Sequence, residues 1–506
     1  MILPKSLRLC LAAPIALLAQ PAAAQQFDKP MPPAFLRAME PMVEREQATD
    51  AVVTTPHVAM IAGREIAYDA VVTETPVANA AGDPAAVVVT YGYVARDAGD
   101  AAQRPVLFVF NGGPGASSSP LHMKAFGPRR LVEDGEGARL VDNEFSLLDV
   151  ADLVFIDPPG TGASMPVAGA DAQSLFSVAG DARAVAEVVE AWRVANGRTQ
   201  SPYALVGESY GTARALAMLH QQAEAKLPLP DGVALLSLAI GDTSGPVIDD
   251  VVLLPTLAAV AWYHEAVDRQ GASAQEWFDR ALDFAQTDYA SALIRGPGLS
   301  EAEKTAIAKR MATLLGLSET DLLAADLRLD KPFFMLNLLR GKGLRTGQLD
   351  ARALRAIADS NFQPPFDDPS MTLGTSTTET IERYLAEELG YALPSAYRSL
   401  NLGINFKWQW GAGESYRSAR FAPYLAQALE QKPGMAIYTA GGIFDITTPA
   451  YAGVFALDQA SIPTENRTAR LYAAGHSVFE DDEGLAAMSA DLRQWATGLA
   501  AKAADE

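Results

Sequence analysis

The sequence predicts an α/β architecture, with a mostly parallel central sheet, flanking helices and a mainly helical cap insertion. Three observations carry this. Short apolar runs end in glycine-rich turns at 106–110, 153–156 and 203–206, and runs of that length bounded by turn residues suit strands buried on both faces. A helical stretch at 178–194, with Val185, Val188, Val189 and Trp192 on one side, separates the second run from the third. Strands alternating with helices build parallel sheets. After a further strand at 233–240 the rhythm stops at about 247 and resumes near 398, so one sheet is interrupted by an insertion.

Taken in order, the 506 residues open on Lys5 and Arg8, an apolar run at 9–19 and the small-residue site Ala22-Ala23-Ala24. That is the pattern of a secretory signal peptide over 1–24, implying a periplasmic or secreted protein. The run is too short to span a bilayer, and no later segment approaches eighteen uninterrupted apolar residues. Cys10, the only cysteine, lies in this leader, so the exported chain is expected to have no disulfide and no thiolate chemistry. A Pro-rich lead-in at 25–55 precedes the first part of the core, 56–246, which begins with an antiparallel ribbon of strands at 66–72 and 86–94. The insertion, 247–397, reads as helical. Ser300 and Glu303 form a capping box on a helix that Gly316 closes, and Trp277, Ala281, Phe284 and Tyr289 share the face of another. Pro364, Pro365 and Pro369 mark a loop at 362–370. The second part of the core, 398–506, supplies a helix at 422–431, strands at 435–439 and 469–473, and a helix at 484–500.

A net charge of −21 argues against nucleic acid as a partner, because such binding neutralises phosphates with Lys and Arg. No His, Cys and Asp cluster has metal-ligand spacing, and the chemistry below needs neither metal nor organic cofactor.

That chemistry centres on Gly207-Glu208-Ser209-Tyr210-Gly211, a G-x-S-x-G pattern between a strand and a helix-forming run at 212–225. Such a turn exposes the serine oxygen, and glycines on either side let the backbone pass without a Cβ clash. A serine nucleophile needs a base. Of the five histidines, His57 lies near the lead-in, His220 too far along the helix, and His264 on an apolar helix. His122 suits a structural role, leaving His476 just past a strand. Its late position fits the order nucleophile, acid, histidine of the α/β-hydrolase fold. Asp445, after the strand at 435–439, is the expected acid; Asp458, Asp481 and Asp482 fit less well. For the oxyanion, the loop Asn111-Gly112-Gly113-Pro114-Gly115 follows a strand, so Gly113 N–H and Tyr210 N–H are the expected donors.

Together with Ser117-Ser118, Asp157-Pro158-Pro159-Gly160-Thr161-Gly162 and Gly475-His476, these motifs resemble the serine carboxypeptidases, in particular their bacterial branch, over about 60–500. The resemblance implies an enzyme that releases C-terminal residues from peptides, often best at acidic pH. It also implies that Asn111, Gly112 and Glu208 bind the substrate, with Asn111 and Glu208 recognising its terminal carboxylate. Better-known members carry Trp at the place of Val109, Glu at Ala125, Cys at Ala116 and Met at Ser477. The first two departures fall in the carboxylate-recognition network and leave the triad untouched. A proline-releasing aminopeptidase, or an esterase or acyltransferase, would use the same triad, but the aminopeptidases usually have His at Asn111 and Gly at Glu208. A catalytically dead binding protein on this fold is the alternative from another class.

Overall fold

The computed structural model describes residues 33–505 apart from 42, 135–136, 242–244, 361–367, 372–374 and 412–417. The expected leader with Cys10, and most of the proline-marked loop at 362–370, lie outside the described residues. In chain order the strands are β1 (Val52–Ile61), β2 (Arg64–Ala78), β3 (Pro84–Ala95), β4 (Val106–Phe110), β5 (Arg129–Asp134), β6 (Gly137–Asp142), β7 (Asp152–Ile156), β8 (Met165–Pro166), β9 (Tyr203–Glu208), β10 (Gly232–Leu236), β11 (Leu344–Thr346), β12 (Leu354–Ala356), β13 (Ala436–Gly442) and β14 (Arg467–Tyr472).

One ten-stranded sheet runs in the order β1-β2-β3-β7-β4-β9-β10-β13-β14, with β8 beside β3. The first three strands are antiparallel, β3 meets β7 antiparallel, and every pair from β7 to β14 is parallel. This is the mostly parallel core expected from the alternating runs. The lead-in gives way to strand earlier than expected, at Val52. Pro56 stands inside that strand, which is possible because β1 is an edge where a missing N–H costs nothing.

Side chains alternate between two cores, so both faces of the central strands are covered. On β4, Val106, Phe108 and Phe110 pack with the helices Val178–Ala195 and Tyr210–Glu224. Leu107 and Val109 face the other way, toward Leu121, Phe126 and the helix Asp482–Asp505. From β4 the chain goes to β7 on one flank, then returns to β9 on the other and continues outward. The direction of winding therefore reverses between β4 and β9. A crevice opens outside the carboxyl ends of strands at such a point, and here those ends carry Asn111 and Ser209.

Between β10 and β13 the chain is mainly helical and builds a third core around Leu257, Trp277, Phe278, Tyr289, Met311 and Phe334. Ser300 and Glu303 form the expected capping box on helix Glu301–Leu315, and Gly316 closes it at φ 67°. The helix Ala274–Phe284 passes into one π turn, Ala285–Tyr289, which keeps Tyr289 facing the core, where its hydroxyl donates to Leu327 O at 2.7 Å. Ile443, Phe444 and Ile446, just after β13, pack into this same core. The insertion thus grips the loop that carries Asp445.

Candidate active site

Strand β9 ends at Glu208 and a helix starts at Tyr210, leaving Ser209 to make the whole turn at φ 57°, ψ −128°. A non-glycine residue in that region costs on the order of 1–3 kcal/mol, a strain that surrounding contacts must hold in place. Those contacts are visible. Ser209 N–H donates to Leu236 O at 2.9 Å, and its carbonyl accepts from Thr212 N at 2.9 Å and Thr212 Oγ1 at 2.6 Å. The flanking glycines are steric requirements: a Cβ on Gly207 would lie 2.3 Å from Gly211 O, and one on Gly211 2.9 Å from Phe110 O.

The loop after β4 lies directly against this turn. A Cβ on Gly112 would stand 2.3 Å from Tyr210 N, and Gly113 holds φ 101°. The backbone at 112–113 is therefore packed on the first turn of the helix, whose leading N–H groups have no intrahelical acceptor. The Tyr210 side chain points elsewhere, its hydroxyl donating to Asp181 at 3.3 Å. Arg214 closes that buried corner, with Nε donating to Asp181 at 2.6 Å and Nη1 to Asn111 O at 2.6 Å.

Asp445 and His476 come from the loops after β13 and β14. His476 Nδ1 lies 2.7 Å from Asp445 Oδ2. Asp445 is fully buried. Its Oδ1 accepts from Thr447 N at 2.8 Å and Thr448 N at 3.1 Å, and its Oδ2 also accepts from Thr448 Oγ1. The His476 carbonyl accepts from Ser237 Oγ, one residue past the Leu236 carbonyl that holds Ser209 N–H. Burial opposes charge on the His476 imidazole. Asp445 overrides it through its charge and hydrogen bond, and with Glu208 and Asp368 nearby the imidazole is pushed up to about 9.

Glu208 is buried beside the elbow. Asn111 Nδ2 donates to its Oε2 and Ser477 Oγ donates to its Oε1 at 2.9 Å. Burial raises this carboxyl above the usual range, while the His476 charge and the two hydrogen bonds oppose the rise. Asn111 and Glu208, 97 positions apart in the sequence, are thus one hydrogen-bonded pair. Val109 and Ala125 are buried in the apolar core on the far side of β4.

The other histidines sit apart. His122 is buried between the Tyr91 and Phe155 rings, with Nε2 2.6 Å from Tyr93 Oη, and burial drives it down to about 3. His57 stacks on Tyr68, His220 on Tyr424, and His264 Nε2 lies 2.7 Å from Ala351 O. The other acids have partners of their own: Asp458 pairs with Arg467, Asp481 with Arg352 and Asp482 with Arg130.

Two features have no counterpart in the sequence reading. Thr447 and Thr448 cradle Asp445, and an aspartate whose carboxylate takes the N–H groups two and three residues on is a local signal that could have been found. A strap from the insertion, residues 348–351, also ties the two loops together. Gln348 O accepts from Ile446 N at 3.0 Å, Leu349 O from His476 N at 2.7 Å, and Ala351 N donates to Phe444 O at 3.1 Å. Buried Asp368 braces the strap, accepting from Gln348 N and Leu349 N at 3.0 Å each.

Residues 90–306 match the family model described as serine carboxypeptidase. Over this stretch the chain is similar to the serine carboxypeptidases. It is a serine hydrolase. The matched stretch holds Asn111, Glu208 and Ser209 and ends before Asp445 and His476. No curated protein matches the chain. Among solved structures it resembles a prohormone-processing carboxypeptidase from Saccharomyces cerevisiae, at 14% identity and TM-score 0.53, over 85% of this chain and 92% of that one. A proline iminopeptidase from Mycobacterium smegmatis aligns at 12% identity and TM-score 0.38, over 85% of this chain and 100% of that one. The first likeness shows the α/β-hydrolase fold. No helix among the described residues is long and apolar enough to cross a membrane.

Proposed function

We propose that the chain is an exported serine-type carboxypeptidase that releases C-terminal residues from peptides through an acyl-enzyme. One observation supports the chemistry most directly: the 2.7 Å contact of His476 Nδ1 with buried Asp445, at the strand edge where Ser209 makes its strained turn. In this reading Ser209 Oγ attacks the scissile carbonyl carbon while His476 Nε2 takes its proton. The tetrahedral oxyanion is met by Gly113 N–H and Tyr210 N–H. His476 returns the proton to the leaving amine, and water releases the acyl group by the same steps in reverse order. Asp445 fixes the imidazole with its Nδ1 protonated and stabilises the imidazolium.

The buried Asn111–Glu208 pair favours a free carboxylate as the group recognised. Two carboxylates in one site cannot both stay charged cheaply, and burial holds Glu208 toward its neutral form. Neutral Glu208 donates a hydrogen bond that an ionised one cannot. With Val109 and Ala125 apolar, Asn111, Gly112 and Glu208 carry this recognition. Export follows from a cut after Ala24, into the periplasm or the medium.

The test offers a blocked dipeptide with a free C-terminus beside its C-terminal amide and a simple ester, from pH 4 to 8, with Ser209→Ala and fluorophosphonate labelling as controls. Preference for the free acid supports the proposal. Cleavage of the ester with the free acid ignored moves the assignment to an esterase or acyltransferase. Absence of a Ser209 adduct leaves a binding protein.

A further inference from the structure

The two oxygens of Glu208 are not equivalent. Asn111 Oδ1 accepts from Leu121 N at 3.1 Å, and a backbone N–H can face only the oxygen of an amide. That fixes the flip of the Asn111 side chain, so its NH₂ must point at Glu208 Oε2. A fixed donor at Oε2 leaves that oxygen an acceptor in every state. Any proton on the carboxyl therefore belongs on Oε1, and what faces Oε1 is Ser477 Oγ at 2.9 Å. A hydroxyl is both donor and acceptor. When Glu208 is ionised, Ser477 donates to Oε1; when Glu208 is protonated, Oε1–H is the donor offered to the substrate carboxylate, and the Ser477 hydrogen turns away to the partly open side of the loop. A thioether or methyl at this position could not donate to the anion.

We propose that Ser477 is a specificity-determining positioning residue: by donating to Glu208 Oε1 when that carboxyl is ionised, and leaving Oε1–H to the substrate carboxylate when it is protonated, it sets the pH up to which a free C-terminal carboxylate is bound. The inference rests on the carboxypeptidase reading and adds to it the residue that tunes it. The proton exchanges with solvent, and no bond to the substrate is made or broken by Ser477. Among the described residues, the charged groups that act on Glu208 are His476 and Glu480. His476, on the loop of Ser477 itself, favours the anion, and Glu480, on the next turn, opposes it. Glu480 is partly neutralised by Lys124 at 3.2 Å, from the π helix Leu121–Phe126. Arg214, from the helix after the elbow, is engaged by the Asn111 carbonyl and Asp181. None of these replaces the Ser477 hydrogen bond to Oε1.

Removing a donor to the charged form destabilises that form more than the neutral one. Ser477→Ala and Ser477→Met should therefore keep Glu208 neutral to higher pH. The readout is the ratio of KM for the blocked dipeptide acid to KM for the matching ester, measured from pH 4 to 9 on the full-length exported protein. The ratio cancels the titration of His476, which both substrates share. In the wild type the ratio climbs where Glu208 ionises. In both variants the climb should move up by about one pH unit, as expected for losing a hydrogen bond to a charged group, and Ser477→Thr should restore it. A wild-type climb that stays in place in Ser477→Ala and Ser477→Met overturns the inference while leaving the carboxypeptidase reading intact. A wild-type ratio that is flat with pH overturns both, because no ionisation then governs carboxylate binding.

Discussion

Asp445→Asn is the change whose outcome the geometry fixes most tightly. The two carboxylate oxygens have different neighbours: Oδ1 takes two backbone N–H groups, from Thr447 and Thr448, and Oδ2 takes His476 Nδ1 and Thr448 Oγ1. An amide has one oxygen, and two backbone donors claim it for the Oδ1 position. Its NH₂ must then occupy the Oδ2 position, 2.7 Å from Nδ1. Two N–H donors cannot face each other, so Nδ1 gives up its hydrogen and becomes the acceptor. The imidazole then carries its hydrogen on Nε2, the atom that receives the Ser209 proton in the proposed mechanism. The largest of the negative charges that lift His476 to about 9 is lost as well, and burial then pulls the imidazole down from there. The expected loss in kcat is about 10⁴, roughly 5 kcal/mol of transition-state stabilisation, with the protein still folded because the backbone bonds to the side chain survive. Steady-state kinetics on the ester, the rate of fluorophosphonate labelling and a thermal melt measure the three parts of this statement. A variant that melts normally and loses less than about tenfold in kcat refutes the assignment of acid and base.

Other outcomes follow from the same contacts. With His476 as base and Glu208 as the carboxylate-binding acid, esters should show one limb rising with pH. Free-acid peptides should show a bell whose optimum lies lower, its two pKa values belonging to the coupled pair. Gly112→Ala puts a methyl 2.3 Å from Tyr210 N and should lower kcat by two to three orders of magnitude, as loss of an oxyanion donor does, which ester kinetics would register. Arg214→Met leaves buried Asp181 with the Tyr210 hydroxyl but without its charged partner and should destabilise the fold by about 3–5 kcal/mol, measured by urea unfolding. His476 is more basic folded than unfolded, so its contribution is fully present below pH 6.5 and is lost as pH rises through about 9. The corresponding fall in Tm between pH 6.5 and 9 should shrink in Asp445→Asn.

How much of this was legible in the sequence depends on how local each signal is. The elbow could be read because its constraints are near in sequence: Gly207 and Gly211 face each other across one turn. The capping box at Ser300 and the αL Gly316 could be read for the same reason. The strand rhythm gave the sheet because apolar runs buried on both faces leave no other pattern. β1 was partly hidden because Pro56 reads as a breaker until its strand is known to lie at an edge. The β5–β6 and β11–β12 hairpins are short and half-exposed, so alternation in them is weak. Asp445 and His476 could be named from position and elimination. Their surroundings could not, because Ser237, Leu349 and Asp368 reach them from elements far away in the chain. Ser477 is an instructive case. It was visible as a departure from a family pattern, but its meaning depends on which oxygen of Glu208 it faces, and that is a fact of three dimensions.

The strap at 348–351 makes the cap and the chemistry inseparable. An engineer who trims the insertion to open the cleft, or transplants one from a relative to change side-chain preference, would also be cutting the backbone ties on Phe444, Ile446 and His476. Such a chimera would lose turnover on every substrate alike, including small esters that never touch the cap. Redesign of selectivity in this protein therefore has to proceed by exchanging side chains along the insertion's inner wall while its 348–351 backbone path is left as it is.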